Sequence, residues 1–385
     1  MVADSAVYLD ANATTPVDPR VAEAMLAALT GLHGNPSSAH AAGRDARRAI
    51  EAARRDVARL IGADRPDEVV FTSGGSESNV TAIRAALAAR PGRREVVTST
   101  VEHASVHAAL DRLAATDGID IHRLPVDECG RLDLDAYRAA LGPGTALVTL
   151  MTANNETGTL FPIADLVPAA HAAGALFHTD AVQAAGRVAL SVAASGVDMA
   201  SFSAHKLHGP KGVGALHVRA GKPFAGLIVG GRQEKGRRAG TENVPGIVGF
   251  GVAARVALAD CHAQRIARLR DRLESGVVAA LPGTRVLGDP QARLANTACL
   301  AFPGIDAEMM LHRLDRAGIA ASSGSACATG EAAPSHVLAA MGLTHLAGST
   351  IRFSLSRFNT DADIERLLVL LPAIAREARI LETVA

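Results

Sequence analysis

Tryptophan is absent from this chain, and aromatic residues make up only 3% of it. Its core must therefore be built mainly from Ala, Leu, Val and Ile, and the scarcity argues against base-stacking platforms for nucleic acid. No charge of either sign predominates: Lys and Arg number 39, Asp and Glu 39, and the formal net charge is zero. Direct binding to a phosphate backbone or an anionic membrane has no electrostatic support from that balance. Long apolar runs are missing too. Residues 367–375 form a nine-residue run closed by Arg366 and Arg376, where a bilayer span needs ~20. The N-terminus shows no basic stretch followed by an apolar one, so no signal peptide is read and a cytoplasmic location is expected. Cysteines are few, and Cys129, Cys261, Cys299 and Cys327 form no C-x-x-C pair. A disulfide framework or a metal site is disfavoured, and any special cysteine acts alone.

What is present is ordinary globular composition, with 48% apolar and 20% charged residues over 385 positions. That length suggests two domains. Through the first 220 residues short apolar runs alternate with amphipathic stretches: strands at 69–72, 95–98, 146–151, 175–178 and 199–203, with helical patterns at 76–89, 103–113 and 162–173. Such alternation predicts a mainly parallel sheet covered by helices. Beyond Gly246 the pattern predicts one long helix over 252–280. Strands near 297–302, 319–322 and 350–355 and helices near 307–316, 335–341 and from 361 then read as a smaller α+β unit. The predicted boundary lies near residue 258.

The segment Ser203-Ala204-His205-Lys206-Leu207-His208-Gly209-Pro210 ends a strand in Ser and His, then a lysine, then a tight turn. An amine anchored there can form a Schiff base with an aldehyde, although a solvated turn lysine is the commoner fate of a lone lysine. Asp180, at the end of another strand, lies where ligands bind in α/β sheets, or else caps a helix. With pyridoxal phosphate on Lys206, Asp180 could keep the ring nitrogen protonated and Gln183 could reach the ring oxygen. Thr72-Ser73-Gly74-Gly75-Ser76-Glu77-Ser78-Asn79 turns from strand to helix, and its glycines suit an anion. His103 follows a further strand, where an imidazole could stack on a planar ring. Separately each has a structural explanation; together they follow successive strands and converge on one sheet edge.

Competing motifs fail on context. Ser203-x-x-Lys206 matches the S-x-x-K pattern, but Gly209-Pro210 would break the helix it needs. Gly249-Phe-Gly-Val-Ala-Ala resembles a dinucleotide fingerprint with no strand before it. His103 and His107 have metal-ligand spacing without the H-E-x-x-H sequence.

The chain resembles the cysteine desulfurases of the class V aminotransferase superfamily, in the branch serving nitrogen fixation and iron–sulfur assembly. The resemblance runs nearly end to end, through Tyr8 to Pro16, Gly34 to Ser38, Asn154 to Gly158, Ser203 to Lys206, Gly236 to Asn243, Ser322 to Cys327, Pro334 to Leu338 and Ile351 to Leu355. It implies a fold type I pyridoxal-phosphate enzyme. The large domain, 16–258, would hold a mainly parallel seven-stranded sheet between helices. Residues 1–15 and 259–385 would form a small α+β domain, with the catalytic cysteine loop at about 322–334.

The resemblance further implies Lys206 as cofactor-bearing lysine and base, Asp180 on the pyridine nitrogen, Gln183 on the ring oxygen and His103 stacked on the ring. Gly75, Ser76, Ser203 and His205 would hold the phosphate, with Thr241 reaching the phosphate of a homodimer partner. Asn12, Asn155 and Arg352 form the implied substrate set, Asn155 and Arg352 gripping the carboxylate of L-cysteine. Cys327, in a Gly/Ser-rich stretch, is the implied nucleophile; it would keep the sulfur as a persulfide and pass it to an acceptor protein, with alanine released.

Ala204 stands where relatives often have Gly, and Ala328-Thr329-Gly330-Glu331 follows the nucleophile in place of the usual Thr-Ser. The chain ends at Ala385 without a longer tail. A thio-modification acceptor, for tRNA thiolation or DNA phosphorothioation, is therefore expected as an alternative to an iron–sulfur scaffold. A selenocysteine lyase or another class V enzyme is the alternative activity.

Overall fold

A computed structural model describes residues 6–260, 262–323 and 334–379. Twelve strands are numbered in chain order: β1 (Val7–Tyr8), β2 (Val69–Thr72), β3 (Glu95–Ser99), β4 (Asp120–Leu124), β5 (Thr145–Thr149), β6 (Leu176–Asp180), β7 (Met199–Ser203), β8 (Gly214–Val218), β9 (Arg285–Leu287), β10 (Thr297–Ala301), β11 (Ile319–Ala320) and β12 (Thr350–Ser354). Seven of them form one sheet in the order β2-β8-β7-β6-β5-β3-β4. Only β8 runs antiparallel to its neighbours.

In β2, β5, β6, β7 and β8 every residue is buried. That is what covering a sheet on both faces requires, and it explains the consecutive apolar residues Val69-Val70-Phe71 and Ala146-Leu147-Val148. β4 (Asp-Ile-His-Arg-Leu) buries only its last residue, as an edge strand can. It lacks an apolar run, so periodicity alone does not reveal it.

Apolar side chains gather on the two faces of this sheet. Another core lies around the antiparallel sheet β12-β10-β9 and the helices Ala263–Ala280, Ala307–Arg316 and Asp361–Glu377. Among the described residues before Ile266 it takes only Val7 and Leu9. Val337, Leu338, Met341 and Leu346 pack instead into the core of the seven-stranded sheet.

The long helix expected over 252–280 is two helices, Val244–Ala259 and Ala263–Ala280, bent by 79°. The first is apolar nearly all round and packs against the helices Pro19–Gly31 and Ala41–Ile61. The second is amphipathic, its apolar side facing the other core. Burying both surfaces needs two directions. The break falls beside Asp260, which is held by Arg20 at 3.2 Å. Among the described residues no single helix is long and apolar enough to cross a membrane.

Candidate active site

The C-terminal ends of the parallel strands bring the predicted residues to one edge. Asp180 ends β6 and Ser203 ends β7, while His103 caps the helix Ala104–Asp117 just beyond β3. Lys206 closes a short 3-10 turn after β7.

At the amine, Lys206 Nζ donates to the carbonyls of Asn12 and Ala13 at 2.6 and 2.8 Å. The N-terminal segment lies across this lysine because Ala11 and Asn12 are held to Ser354 of β12. Asn12, 1% exposed, is a junction. Its amide donates to Thr297 Oγ1 at 2.9 Å and to the Asn155 carbonyl at 3.1 Å. Its side-chain oxygen accepts from Arg187 at 2.7 Å and Asn296 at 3.0 Å. Gln183 donates to the Asn12 carbonyl at 3.0 Å and accepts from Arg187 at 2.5 Å, leaving its second amide hydrogen for a ligand.

A different network joins Asp180 to His103. The buried Asp180 carboxylate accepts from Val182 N–H at 3.0 Å and from Asn79 at 2.7 Å. Asn79 also donates to Ser105 Oγ at 3.0 Å, and Ser105 Oγ stands 2.8 Å from His103 Nδ1. Because Ser105 N–H also donates to Nδ1 at 3.1 Å, that nitrogen is the acceptor, and the ring proton falls on Nε2. From sequence, Asn79 is only the last residue of the glycine turn that runs from Thr72, with no role of its own, and Ser105 and Arg187 are not singled out. The only available signal for Asn79 was its place one helical turn after Ser76, on the same face.

At the anion end, the helix Gly75–Ala88 begins with no side-chain cap. Its first turn therefore presents main-chain N–H groups, the arrangement that binds phosphate. A Cβ on Gly75 would come 2.7 Å from Val182 Cγ2, and one on Gly74 would reach 3.9 Å from Ser203 Oγ. His205 Nδ1 lies 3.1 Å from Thr14 Oγ1, and burial with the neighbouring Lys206 charge pulls its pKa down to about 4. Ser76 is exposed on the first turn, and Thr241 is exposed beside Ser73 and Gly240.

Arg352, 2% exposed, donates to Asp10 Oδ1 at 2.7 Å and to the Asn155 carbonyl at 2.9 Å. Behind it, desolvation and the Arg352 charge pull the Arg187 pKa down to about 10. Cys327 and Cys261 lie outside the described residues. Cys299 is buried, and that burial pushes its thiol up to about 12. Cys129 is half-buried, its thiol also raised by desolvation. Neither has the setting of a reactive thiolate.

The donor set fits pyridoxal phosphate. An uncapped helix start with Ser203 alongside suits its phosphate, a buried carboxylate suits its ring nitrogen, and a lysine amine suits its aldehyde.

Comparisons with known proteins bear on the whole chain. The family model described as aminotransferase class-V matches residues 7–367. A cysteine desulfurase of Cereibacter sphaeroides is 57% identical over 376 residues, covering 97% of each chain. A solved NifS-like protein superposes with a TM-score of 0.90 at 36% identity, covering 97% of this chain and all of that one. A solved structure of SspA in complex with cysteine gives a TM-score of 0.81 at 34% identity, covering 92% of this chain and all of SspA.

Proposed function

The chain belongs to the class-V aminotransferase family and is a pyridoxal-phosphate-dependent cysteine desulfurase, and on that premise we propose how its residues divide the work. Lys206 holds the cofactor and moves the substrate's α-proton, and Cys327 takes the sulfur. The observation that carries this reading is the convergence of Lys206, Asp180 and His103 on one edge of the seven-stranded sheet.

Gly75, Ser76, Ser203 and His205 would hold the phosphate, Asp180 the ring nitrogen, Gln183 the ring oxygen and His103 the ring face. When bound, pyridoxal phosphate withdraws electrons from the substrate's α-carbon and so weakens the bond between its β-carbon and sulfur. Asn79 keeps Asp180 oriented and accepting. Through Ser105 the same amide directs His103 so that Nε2, and not Nδ1, carries the exchangeable proton. Arg352 takes the substrate carboxylate in a planar, two-pronged grip, with Asp10 and the Asn155 carbonyl fixing the plane of its guanidinium. Asn12 braces the same pocket and holds the Lys206 amine through its carbonyl. The Lys206 amine, held at this edge, would accept the substrate's α-proton.

The Cys327 thiolate then attacks the substrate sulfur. The new S–S bond takes the place of the carbon–sulfur bond, and the electron pair left on carbon is protonated on the way to alanine. The resulting persulfide passes to an acceptor protein, for iron–sulfur assembly or thio-modification, and the working unit is a cytoplasmic homodimer in which Thr241 completes the partner's phosphate site.

Borohydride reduction of the holoenzyme followed by peptide mapping should place a pyridoxyl label on Lys206. Cys327→Ser should keep the label and the colour but form no persulfide. A label elsewhere removes Lys206 from this role, and normal turnover by Cys327→Ser removes Cys327.

A further inference from the structure

The first turn of the helix Gly75–Ala88 carries an acid just where a phosphate would least tolerate one. Glu77 stands there, and its Oε2 accepts from Ser73 N–H at 2.8 Å. A carboxylate at a helix start is favourable by itself, because it draws on the dipole and the unpaired N–H groups of that end. A phosphate draws on the same groups, so Glu77 competes with it and, as a like charge, repels it.

The compensation comes from far along the chain. Arg238 Nε donates to Glu77 Oε1 at 3.0 Å, and its Nη2 donates to Oε2 at 3.3 Å. The pair is mostly shielded from solvent, the Arg238 side chain keeping 25% exposure and that of Glu77 10%. Desolvation pushes the Glu77 carboxyl up, but Arg238 and Ser73 more than reverse that, so the group stays an anion.

Holding Arg238 in this place takes strained backbone. Among the described residues Glu234 and Lys235 are the only consecutive non-glycine pair with positive φ, 47° and 60°. The buried Glu234 carboxylate fixes them. It accepts from Arg54 Nη1 and Nη2, each at 2.7 Å, and from Phe71 N–H at 2.9 Å. Arg54 also donates to the Val69 carbonyl at 2.8 Å. Gln233 Oε1 accepts from Gly240 N–H at 3.2 Å and closes the loop around Arg238. One loop therefore grips the glycine turn from both sides, through Glu234 on the strand that enters it and Arg238 on the helix that leaves it.

We propose that Arg238 is a positioning residue for the cofactor's phosphate: by neutralising Glu77 it lets the helix start accept a dianion, and the Glu234–Arg54 pair keeps it there. The proposal rests on reading this turn as the phosphate site of pyridoxal phosphate. It requires no contact between Arg238 and the phosphate.

The test titrates the full-length apoenzyme with pyridoxal phosphate and, separately, with pyridoxal, which keeps the ring and aldehyde but lacks the phosphate. Absorbance of the Lys206 adduct reports binding. In Arg238→Gln the Kd for pyridoxal phosphate should rise about tenfold at ~0.01 M sodium chloride, where the screening length is ~30 Å. At ~1 M, where that length is ~3 Å, it should lie within about threefold of the parent. Glu77→Gln keeps an acceptor for Ser73 N–H, so the double variant should also return to within about threefold of the parent at low salt. The Kd for pyridoxal should move less than about twofold in each variant, which a general loss of structure would not allow. An unchanged Kd for pyridoxal phosphate in Arg238→Gln would overturn the proposal. So would a loss shared by pyridoxal, a loss that salt does not reduce, or a double variant no better than the single one. If Arg238→Gln does not fold, Glu77→Gln decides: it leaves the Arg238 charge unopposed and should bind pyridoxal phosphate about threefold more tightly at low salt, and parent-like or weaker binding overturns the idea. A parent enzyme that binds pyridoxal as tightly as pyridoxal phosphate would instead overturn the phosphate reading, so the two failures are distinguishable.

Discussion

Arg187 shows how one side chain organises the site without touching the reacting bond. It donates to Asn12 Oδ1, Gln183 Oε1 and the carbonyls of Ala11 and Lys206. Three of these partners lie far from it in sequence, so no local spacing announces the role. Removing the guanidinium would take the donor from Gln183 Oε1 and the Ala11 carbonyl in a desolvated place and leave Asn12 Oδ1 with Asn296 alone, and an unsatisfied buried group costs about 1–3 kcal/mol. Arg187→Met should lower the apoenzyme's stability by about 2–4 kcal/mol, read from the urea midpoint. It should also reduce the fraction of Lys206 trapped as the pyridoxyl adduct, because the Asn12 carbonyl that holds the amine loses its brace. An unchanged midpoint together with full trapping would show that the network is dispensable.

At the scale of elements, the decisive piece is the start of the helix Gly75–Ala88. A Cβ at Gly214 would come 2.6 Å from both Gly74 Cα and Phe202 O, so β8 passes the turn only as glycine. Gly75 faces a β-branched side chain instead, Val182 Cγ2 at 2.7 Å, which is stiff about χ1 and has little room to give. Gly75→Ala should displace the helix start and weaken pyridoxal phosphate binding about tenfold, measured by equilibrium dialysis. Adding Val182→Ala makes room and should restore most of that affinity. A double variant no better than the single one would show that crowding is not the cause. Periodicity found the central strands and this helix, since both announce themselves in local pattern. It could not find the break near Asp260. Nothing stronger than Asp-Cys-His marks that position, and the turn arises from two helix surfaces that must face different cores.

For the molecule as a whole, the buried histidines set the response to acid. His107, His178, His205, His208 and His217 are each held near pKa 4, chiefly by desolvation. Between about pH 6.5 and 4 the unfolded chain takes up protons at these sites and the folded chain does not. Stability must therefore fall as pH drops through that window. Glu102 acts the other way: its folded pKa of about 8 lies above the ordinary carboxyl value, so its contribution declines as pH rises from about 4.5 to 8. Glu156 is raised by burial in the same direction, and two carboxyls do not offset five imidazoles on the acid side. The apoenzyme's urea midpoint should be clearly lower at pH 5 than at pH 7, and replacing His178 with Gln should flatten the difference. Equal midpoints at the two pH values would contradict the burial argument.

By itself the sequence specified a mainly parallel α/β sheet, a lysine and an acid at strand ends, and a glycine turn for an anion. Each of these follows from local chemistry: apolar runs, strand termini and backbone freedom. Only the tertiary structure decided that Asn79 and Ser105 link Asp180 to His103, that Arg187 gathers Asn12, Gln183 and the Lys206 carbonyl, and that Ser335 is fastened to Glu156. Those bonds join residues up to 179 positions apart, and a polar group's partner across such a separation depends on how the layers pack.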